Sequence, residues 1–142
     1  MADEKTMAEI TSKIKVGLER IETTECGVSN TAQAMKSGTL PVFATPAMTG
    51  LMEQAASNLA EILLPEGWTS VGTKMNVEHT SATPFGMKVK AQATVVSVDN
   101  RMITFDVKAV DASGEIGHGT HERVVVQKSK FLDKALAKIN KK

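Results

Sequence analysis

The sequence predicts an α+β fold in which a curved antiparallel sheet wraps around one long helix. Apolar residues recur at helical spacing after Thr45, and four runs rich in β-forming residues follow that helix. Short turn sequences separate these runs, which favours antiparallel pairing between neighbours. A single sheet covers a broad apolar helix only by curving around it, so the order of the elements indicates the architecture.

Size and composition limit the classes of protein to which the chain can belong. Its 142 residues suit one domain, and we expect a single domain over residues 1–142. The net charge of +1, with acids and bases mixed along the chain, gives no positive field for a nucleic-acid backbone or a membrane surface. Aromatic residues make up only 4% of the chain, which disfavours stacking platforms for bases and predicts an aliphatic, methionine-filled core.

Two features indicate the cellular compartment. Cys26 is the only cysteine and cannot form an intramolecular disulfide, which fits a reducing compartment. No long apolar stretch follows residues 1–5, so the N-terminus resembles neither a signal peptide nor a membrane anchor. We expect a cytoplasmic protein.

The first third of the chain is predicted as a strand, a connection and the start of the main helix. Residues 13–25 begin with alternating apolar residues, which indicates a half-buried strand, and the small polar residues 26–40 indicate an irregular or partly helical connection. Thr45 before Pro46 is typical of a helix N-cap followed by the first helical residue. A Pro/Gly turn at 64–67 ends this helix. Its apolar stripe comprises Ala47, Met48, Leu51, Met52, Ala55, Ala56, Leu59, Ile62 and Leu63.

The remainder is predicted as a meander of strands with a short closing helix. Asp99 with Asn100 forms one tight turn, and residues 111–114 form the next. Residues 131–142 carry apolar side chains at helical spacing among lysines, which predicts a C-terminal amphipathic helix. The four strands are predicted at residues 68–80, 86–98, 101–112 and 115–128.

Two residues of the main helix carry groups suited to catalysis. The Glu53 carboxylate either lies near the buried stripe, where burial would raise its pKa, or is exposed at the edge of the stripe. The Thr45 hydroxyl has an ordinary explanation as a helix cap. The free N–H groups and the positive dipole end at that terminus also suit a carbonyl oxygen that gains negative charge. The sequence leaves these alternatives open.

Histidines and one arginine are the other candidates. His79 stands between a strand and a polar turn, and it is either an ordinary surface residue or a proton carrier near neutral pH. His118 and His121 are three apart on one strand and point to opposite faces, so we reject a shared metal ion. Arg123 is either a solvated charge at an edge or a phosphate clamp. Glycines near it lack phosphate-loop spacing and are predicted at close approaches of the backbone.

These motifs, taken in order, are similar to those of a known family. The sequence resembles the fluoroacetyl-CoA thioesterase group of hot-dog-fold proteins, from about residue 40 to the last strand. The matching segments are Val42 to Thr45, Gly50 to Glu53, Gly72-Thr73, His79-Thr80, Ala82 to Pro84, Glu115 to Gly117 and Gly119 to Arg123.

The resemblance implies a hot-dog fold and hydrolysis of a short acyl-CoA thioester. It implies that Thr45, Glu53 and His79 form the catalytic set. It also implies that Gly72 offers a backbone contact near the thioester and that Arg123 lies close to the CoA-binding region. No metal ion or organic cofactor is implied.

A homodimer is expected for a geometric reason. Thr45 and Glu53 are eight residues apart on one helix, a rise of about 12 Å, so their side chains cannot hydrogen-bond directly. Hot-dog proteins generally join two sheets into one, with active sites between subunits, and such a site would let both residues act on one thioester.

The expected mechanism assigns a role to each candidate, and two other functions stay open. Backbone N–H groups near Gly72 stabilise the oxyanion, while Thr45 orients the substrate or attacks it through His79. Glu53 attacks the carbonyl or activates water, and His79 carries protons to the leaving thiolate. The alternatives are a module that binds acyl-CoA without turnover, and an enoyl-CoA hydratase or dehydratase on the same scaffold.

Overall fold

One antiparallel sheet and one long helix make up most of the molecule. The computed structural model describes residues 4–140, with side chains from residue 6 onward. Helix α2 contacts all five strands of the sheet, whose order is β1-β3-β4-β5-β2, so the sheet curves around it as predicted. The elements are α1 (Glu4–Ile10), β1 (Glu19–Glu25), α2 (Thr45–Leu63), β2 (Trp68–His79), β3 (Lys88–Asp99), β4 (Met102–Asp111), β5 (Gly114–Gln127), α3 (Lys128–Leu136) and a 3₁₀ helix (Ala137–Asn140).

The core between α2 and the sheet is aliphatic and rich in methionine, as the composition predicts. Met48 and Met52 of α2 are fully buried, and the alternating residues of the central strands face them. Gly117 of β5 lies directly under the helix, because a Cβ atom there would come within 2.5 Å of the Met48 sulfur. The predicted close approach of the backbone at the β5 glycines is therefore confirmed.

The first strand is shorter than predicted. It begins at Glu19, whereas residues 13–18 form turns and irregular chain. Ile14 is buried, but Val16 is 67% exposed, so the alternation of apolar residues does not mark a strand face. Gly17 has a φ of 96°, a turn conformation suited to glycine, and pairing with β3 starts only after it. The prediction of a strand from residue 13 is wrong for this reason.

Helix α1 is absent from the sequence-based prediction. It has only seven residues, too few for a reliable helical period. Met7 and Ile10, three residues apart, are both buried in the core. The helix is therefore fixed by tertiary packing on one face.

The connection, the later strands and the tail agree with prediction apart from their ends. Residues 26–44 contain no helix or strand beyond isolated bridges, and the strands after α2 lie within two residues of the predicted bounds. Asn100 has a φ of 55°, as the predicted hairpin requires. Helix α3 begins three residues before Phe131, and its apolar face is largely exposed. Residues 141–142 of the predicted tail helix lie outside the described residues. No helix in the described part of the chain is long and apolar enough to cross a membrane.

Candidate functional site

The start of α2 brings Thr45 and His79 together. Thr45 Oγ1 lies 2.8 Å from His79 Nδ1, and this hydrogen bond joins the helix to the end of β2. The predicted N-cap at Thr45 is wrong by one residue, since Ala44 is the N-cap, Thr45 is the first helical residue and no side chain caps the helix. The threonine hydroxyl points to the imidazole instead of the helix N–H groups. Its hydrogen bond is therefore not explained by helix capping.

The other ring nitrogen of His79 is Nε2. His79 Nε2 is buried and makes no hydrogen bond among the described residues. A cavity of about 290 Å³ lies beside the pair, walled by the end of the irregular connection and by the turn after β2. Small or polar side chains, including Ala32, Ser37 and Ser81, form much of this wall. Buried polar atoms without a partner are rare in folded proteins, so this nitrogen is a candidate functional atom.

Glu53 lies at a second place, two turns further along α2. Its side chain is 49% exposed, so the exposed alternative from the sequence is correct and the carboxylate is not in the buried stripe. Glu53 Oε2 is 3.8 Å from Arg123 Nη1, which makes this an ion pair with a guanidinium. The carboxylate therefore has a fixed positive partner on the sheet.

Gly72 forms the floor beneath that carboxylate. A Cβ atom at this position would stand 2.6 Å from Glu53 Oε2, 3.1 Å from His121 Cε1 and 3.4 Å from Arg123 Nη1. Only a glycine lets the strand backbone come this close to all three side chains. A β-bulge between Gly72 and Lys74 interrupts the pairing of β2 with β5 at the same point.

Arg123 is a buried charge, which corrects one of the two sequence-based explanations of it. The residue is 5% exposed, so it is not a solvated edge charge, and the phosphate clamp stays a prediction. Its Nε donates to Ser70 Oγ at 2.7 Å, and Nη2 donates to the Ser70 carbonyl at 2.9 Å. Burial lowers the pKa of Arg123, and the Glu53 carboxylate opposes that shift. The guanidinium stays charged because its ordinary pKa is so high.

His121 lies below this cluster and is 1% exposed. Its Nδ1 is 2.8 Å from the carbonyl oxygen of Lys74, at the bulge, and its Nε2 is 3.2 Å from Arg123 Nη1. The Phe105 ring stacks on the imidazole with 6.1 Å between centroids. His118, in contrast, is exposed and contacts carboxylates on the outer face, so the two histidines do point to opposite faces. The described residues contain no group of three or more potential metal ligands.

The predicted site residues thus form two groups within one chain. Thr45 and His79 form the first group, which we call the hydroxyl–imidazole pair. Glu53, Gly72 and Arg123 form the second, which we call the carboxylate cluster. Gly72 and His79 are seven residues apart on β2, roughly 23 Å along an extended strand. One chain does not bring the two groups together.

Comparison with known proteins decides the family. The model of the fluoroacetyl-CoA-specific thioesterase (FlK) family matches residues 27–129. The chain belongs to this family. A fluoroacetyl-CoA thioesterase of Streptantibioticus cattleyicolor is 44% identical over 97 residues, which are 68% of this chain and 70% of that protein.

Solved structures agree with this family and confirm the hot-dog fold. The fluoroacetyl-CoA thioesterase FlK is 35% identical, with a TM-score of 0.83 over 88% of this chain and 97% of its own. A hot-dog-like protein from Thermanaerovibrio acidaminovorans is 27% identical, with a TM-score of 0.86 over 94% of this chain and 99% of its own.

The thioesterase family match spans both groups of candidate residues, from Thr45 to Arg123. Sequence reasoning missed Ser70, and it considered His121 only as a metal ligand. A signal for both was present, because Ser70, His121 and Arg123 are polar residues at strand positions that face inward, where alternation predicts apolar side chains. Inward polar residues that contact each other indicate a built polar cluster.

Proposed function

We propose that the protein is a homodimeric thioesterase that hydrolyses a short-chain acyl-CoA to the free acid and CoA. Family membership identifies the chain as an acyl-CoA thioester hydrolase. The further proposal concerns the site, which we assign to the hydroxyl–imidazole pair of one subunit and the carboxylate cluster of the other. The observation that carries this assignment is the separation of the two groups within one chain.

Strand β2 supplies the edge through which two chains would join. It is one of the two edge strands of the sheet, β1 being the other, and no described strand pairs with its outer side. An edge strand presents free N–H and C=O groups that accept a second strand. Antiparallel pairing of β2 with its copy, centred between Met75 and Asn76, would set Gly72 opposite His79 of the partner subunit. The two groups would then face one substrate.

The size of the cavity supports a short acyl group. The space beside Thr45 and His79 is about 290 Å³, which is at the small end for ligand sites. Val42 and Phe43 line it together with Ala32 and Ser37 on the side of the irregular connection, so the wall there mixes apolar and small polar side chains and is not a purely apolar enclosure. We therefore assign the protein to short acyl groups in general and not to fluoroacetyl specifically.

Each group has a separate task in the proposed reaction. A backbone N–H near Gly72 and the positive end of α2 stabilise the oxyanion that forms when the thioester carbonyl is attacked. The Glu53 carboxylate takes a proton from the attacking water, and the C–S bond breaks as the tetrahedral intermediate collapses. His79, oriented by the Thr45 hydroxyl, gives a proton to the leaving thiolate. Free acid and CoA thiol are the products.

The cellular compartment belongs to the same proposal. Cys26 is a free, fully buried cysteine, and burial raises the pKa of its thiol. A buried protonated thiol is compatible with the reducing cytoplasm in which we place the enzyme.

Release of free thiol from acyl-CoA substrates tests the function. The panel comprises acetyl-, fluoroacetyl-, propionyl-, butyryl- and palmitoyl-CoA, and we expect turnover of the short substrates and little of the longest. Glu53→Gln and His79→Ala should each lower kcat by about 10²- to 10⁴-fold, the usual contribution of a proton-transfer group. Glu66→Gln and His118→Ala change the same residue types at exposed positions and should keep full activity. Absence of thiol release by the parent from every substrate would contradict the proposal.

A further inference from the structure

His121 is a buried polar residue to which neither the sequence nor the family match assigns a role. It lies on the inward face of β5 and is among the largest fully buried side chains of the described residues. A buried imidazole is costly unless its nitrogens are satisfied, and both nitrogens of His121 have partners. The identity of those partners determines its protonation state.

Only one form of the ring satisfies both contacts. The Lys74 carbonyl oxygen can only accept, so Nδ1 must carry a proton. Arg123 can only donate, so Nε2 must be unprotonated and accept from Nη1. The ring is therefore neutral, with its proton on Nδ1. A charged ring would place an N–H of its own against the guanidinium.

One nitrogen of Arg123, Nη1, contacts both the His121 imidazole and the Glu53 carboxylate. Arg123 Nη1 is 3.2 Å from His121 Nε2 and 3.8 Å from Glu53 Oε2. The remaining contacts of the guanidinium go to Ser70 and fix its plane from the other side. The imidazole plane is itself fixed by the stacked ring of Phe105.

We propose that His121 is a positioning residue for thioester hydrolysis, because its neutral ring holds Arg123 Nη1 in place for the Glu53 carboxylate above Gly72. This inference rests on the proposed function of Glu53. The imidazole touches no reacting atom and acts through Arg123. Misplacing a catalytic group by about 1 Å can cost on the order of 10² in rate, so the position of the guanidinium matters for turnover.

Three variants separate this role from simple packing. The amide oxygen of His121→Gln reaches the place of Nε2 and can accept from Arg123. The amide of His121→Asn is shorter and can replace only Nδ1. His121→Phe keeps the stacked ring and loses both hydrogen bonds. We expect kcat/KM within about threefold of the parent for Gln, and losses of about 10- to 100-fold for Asn and Phe. His118→Gln, on the outer face of the same strand, is the matched control and should change nothing.

A double variant shows whether the effect passes through Glu53. Adding His121→Asn to Glu53→Gln should cause no further loss of activity, because the carboxylate that Arg123 orients is already gone. Equal activity of the Gln and Asn variants, or a full additional loss in the Glu53→Gln background, would overturn the positioning role of His121. Thiol release by the parent would in that case still support the proposed function. A parent without thiol release would overturn both.

Discussion

The two groups of the proposed active site differ in how firmly the fold holds them. The hydroxyl–imidazole pair rests on a single hydrogen bond of 2.8 Å at the surface, and His79 Nε2 has no partner within the described part of the chain. The carboxylate cluster rests on Arg123, which is 5% exposed and bound to Ser70 and His121. The first group has little support from the fold, and the second is supported from below.

This difference follows from the chemistry of the charged groups. A buried guanidinium is costly unless it is paired and hydrogen-bonded, so the fold must surround Arg123 with acceptors. A threonine hydroxyl and an imidazole carry no such penalty, and they can stand exposed at the end of an element. The support under Glu53 therefore has to be encoded in the inward positions of β2 and β5, whereas the pair needs only a helix start and a strand end.

The largest effect is expected from a methyl group added at Gly72, in the floor of the carboxylate cluster. Gly72→Ala would put a Cβ 2.6 Å from Glu53 Oε2, and the carboxylate must move away. We expect kcat to fall by about 10²-fold with a folded protein, since the displaced group is the end of a half-exposed side chain.

Gly27→Ala is the control for that change, because a Cβ there meets only an ordinary contact at 3.8 Å. Thiol-release assays and circular dichroism of both variants supply the comparison. A parental kcat in Gly72→Ala would show that a glycine is not needed beneath the Glu53 carboxylate.

An intermediate effect is expected in the pH dependence of stability. Burial is the main cause that lowers the pKa of His121, and the groups that face it are Glu53 on α2, the Lys74 carbonyl on β2, and Glu122 and Arg123 on β5. The unfolded imidazole, with a pKa near 6.5, binds a proton that the folded one does not. The contribution of His121 is thus fully present above about pH 6.5 and is lost as the pH falls toward the lower folded value.

Thermal unfolding between pH 7.5 and 5.5 measures this effect. As the pH is lowered, the Tm of the parent should fall more steeply than that of His121→Gln, because the glutamine side chain does not titrate. His118 is exposed, and hydrogen bonding to Glu115 is the main cause that raises its pKa, so its weak contribution has the opposite sign and is common to both proteins. Parallel curves for the two proteins would show that His121 is not buried as a neutral ring.

The smallest effect is expected from Thr45→Ala on stability. Replacing a true N-cap residue by alanine typically lowers the free energy of unfolding by about 1 kcal/mol. Thr45 does not cap α2, so the free energy of unfolding should change by less than about 0.5 kcal/mol, as at an ordinary exposed position. Urea unfolding measures it, and Thr45→Ser, which keeps the hydroxyl, is the control for activity. A loss of about 1 kcal/mol or more would contradict this expectation and show that the Thr45 hydroxyl stabilises the fold.

Much of the fold was predictable because its signals are periodic. The apolar stripe of α2 and the alternating strands with their turns gave the α+β architecture and nearly the correct bounds. Local errors arose where tertiary contacts override the pattern. Ile14 and Val16 alternate like a strand, yet one is buried and the other lies beside the turn at Gly17. Helix α1 is too short to carry a period at all.

The candidate site was predictable only in part. Residue types and the family resemblance indicated Thr45, Glu53 and His79, but the helical rise alone showed that two of them lie apart. The support of Arg123 by Ser70 and His121 depends on which residues of β2 and β5 are cross-strand neighbours, and the bulge at Gly72 sets that register. Sequence spacing does not contain this information.

Mixing two inactive variants tests whether one active site takes its two groups from different subunits. Glu53→Gln and His79→Ala chains are unfolded together, refolded at equal concentration and assayed for thiol release. Random pairing would give half mixed dimers, each with one intact site, so activity should return to about one quarter of the parental value.

The same mixing with Glu53→Gln and Gly72→Ala is the control, because both changes lie in the carboxylate cluster and no intact site can form. Activity should recover in the first mixture and should not recover in the second. A first mixture no more active than its separate components would contradict this expectation and place both groups of the site within one chain.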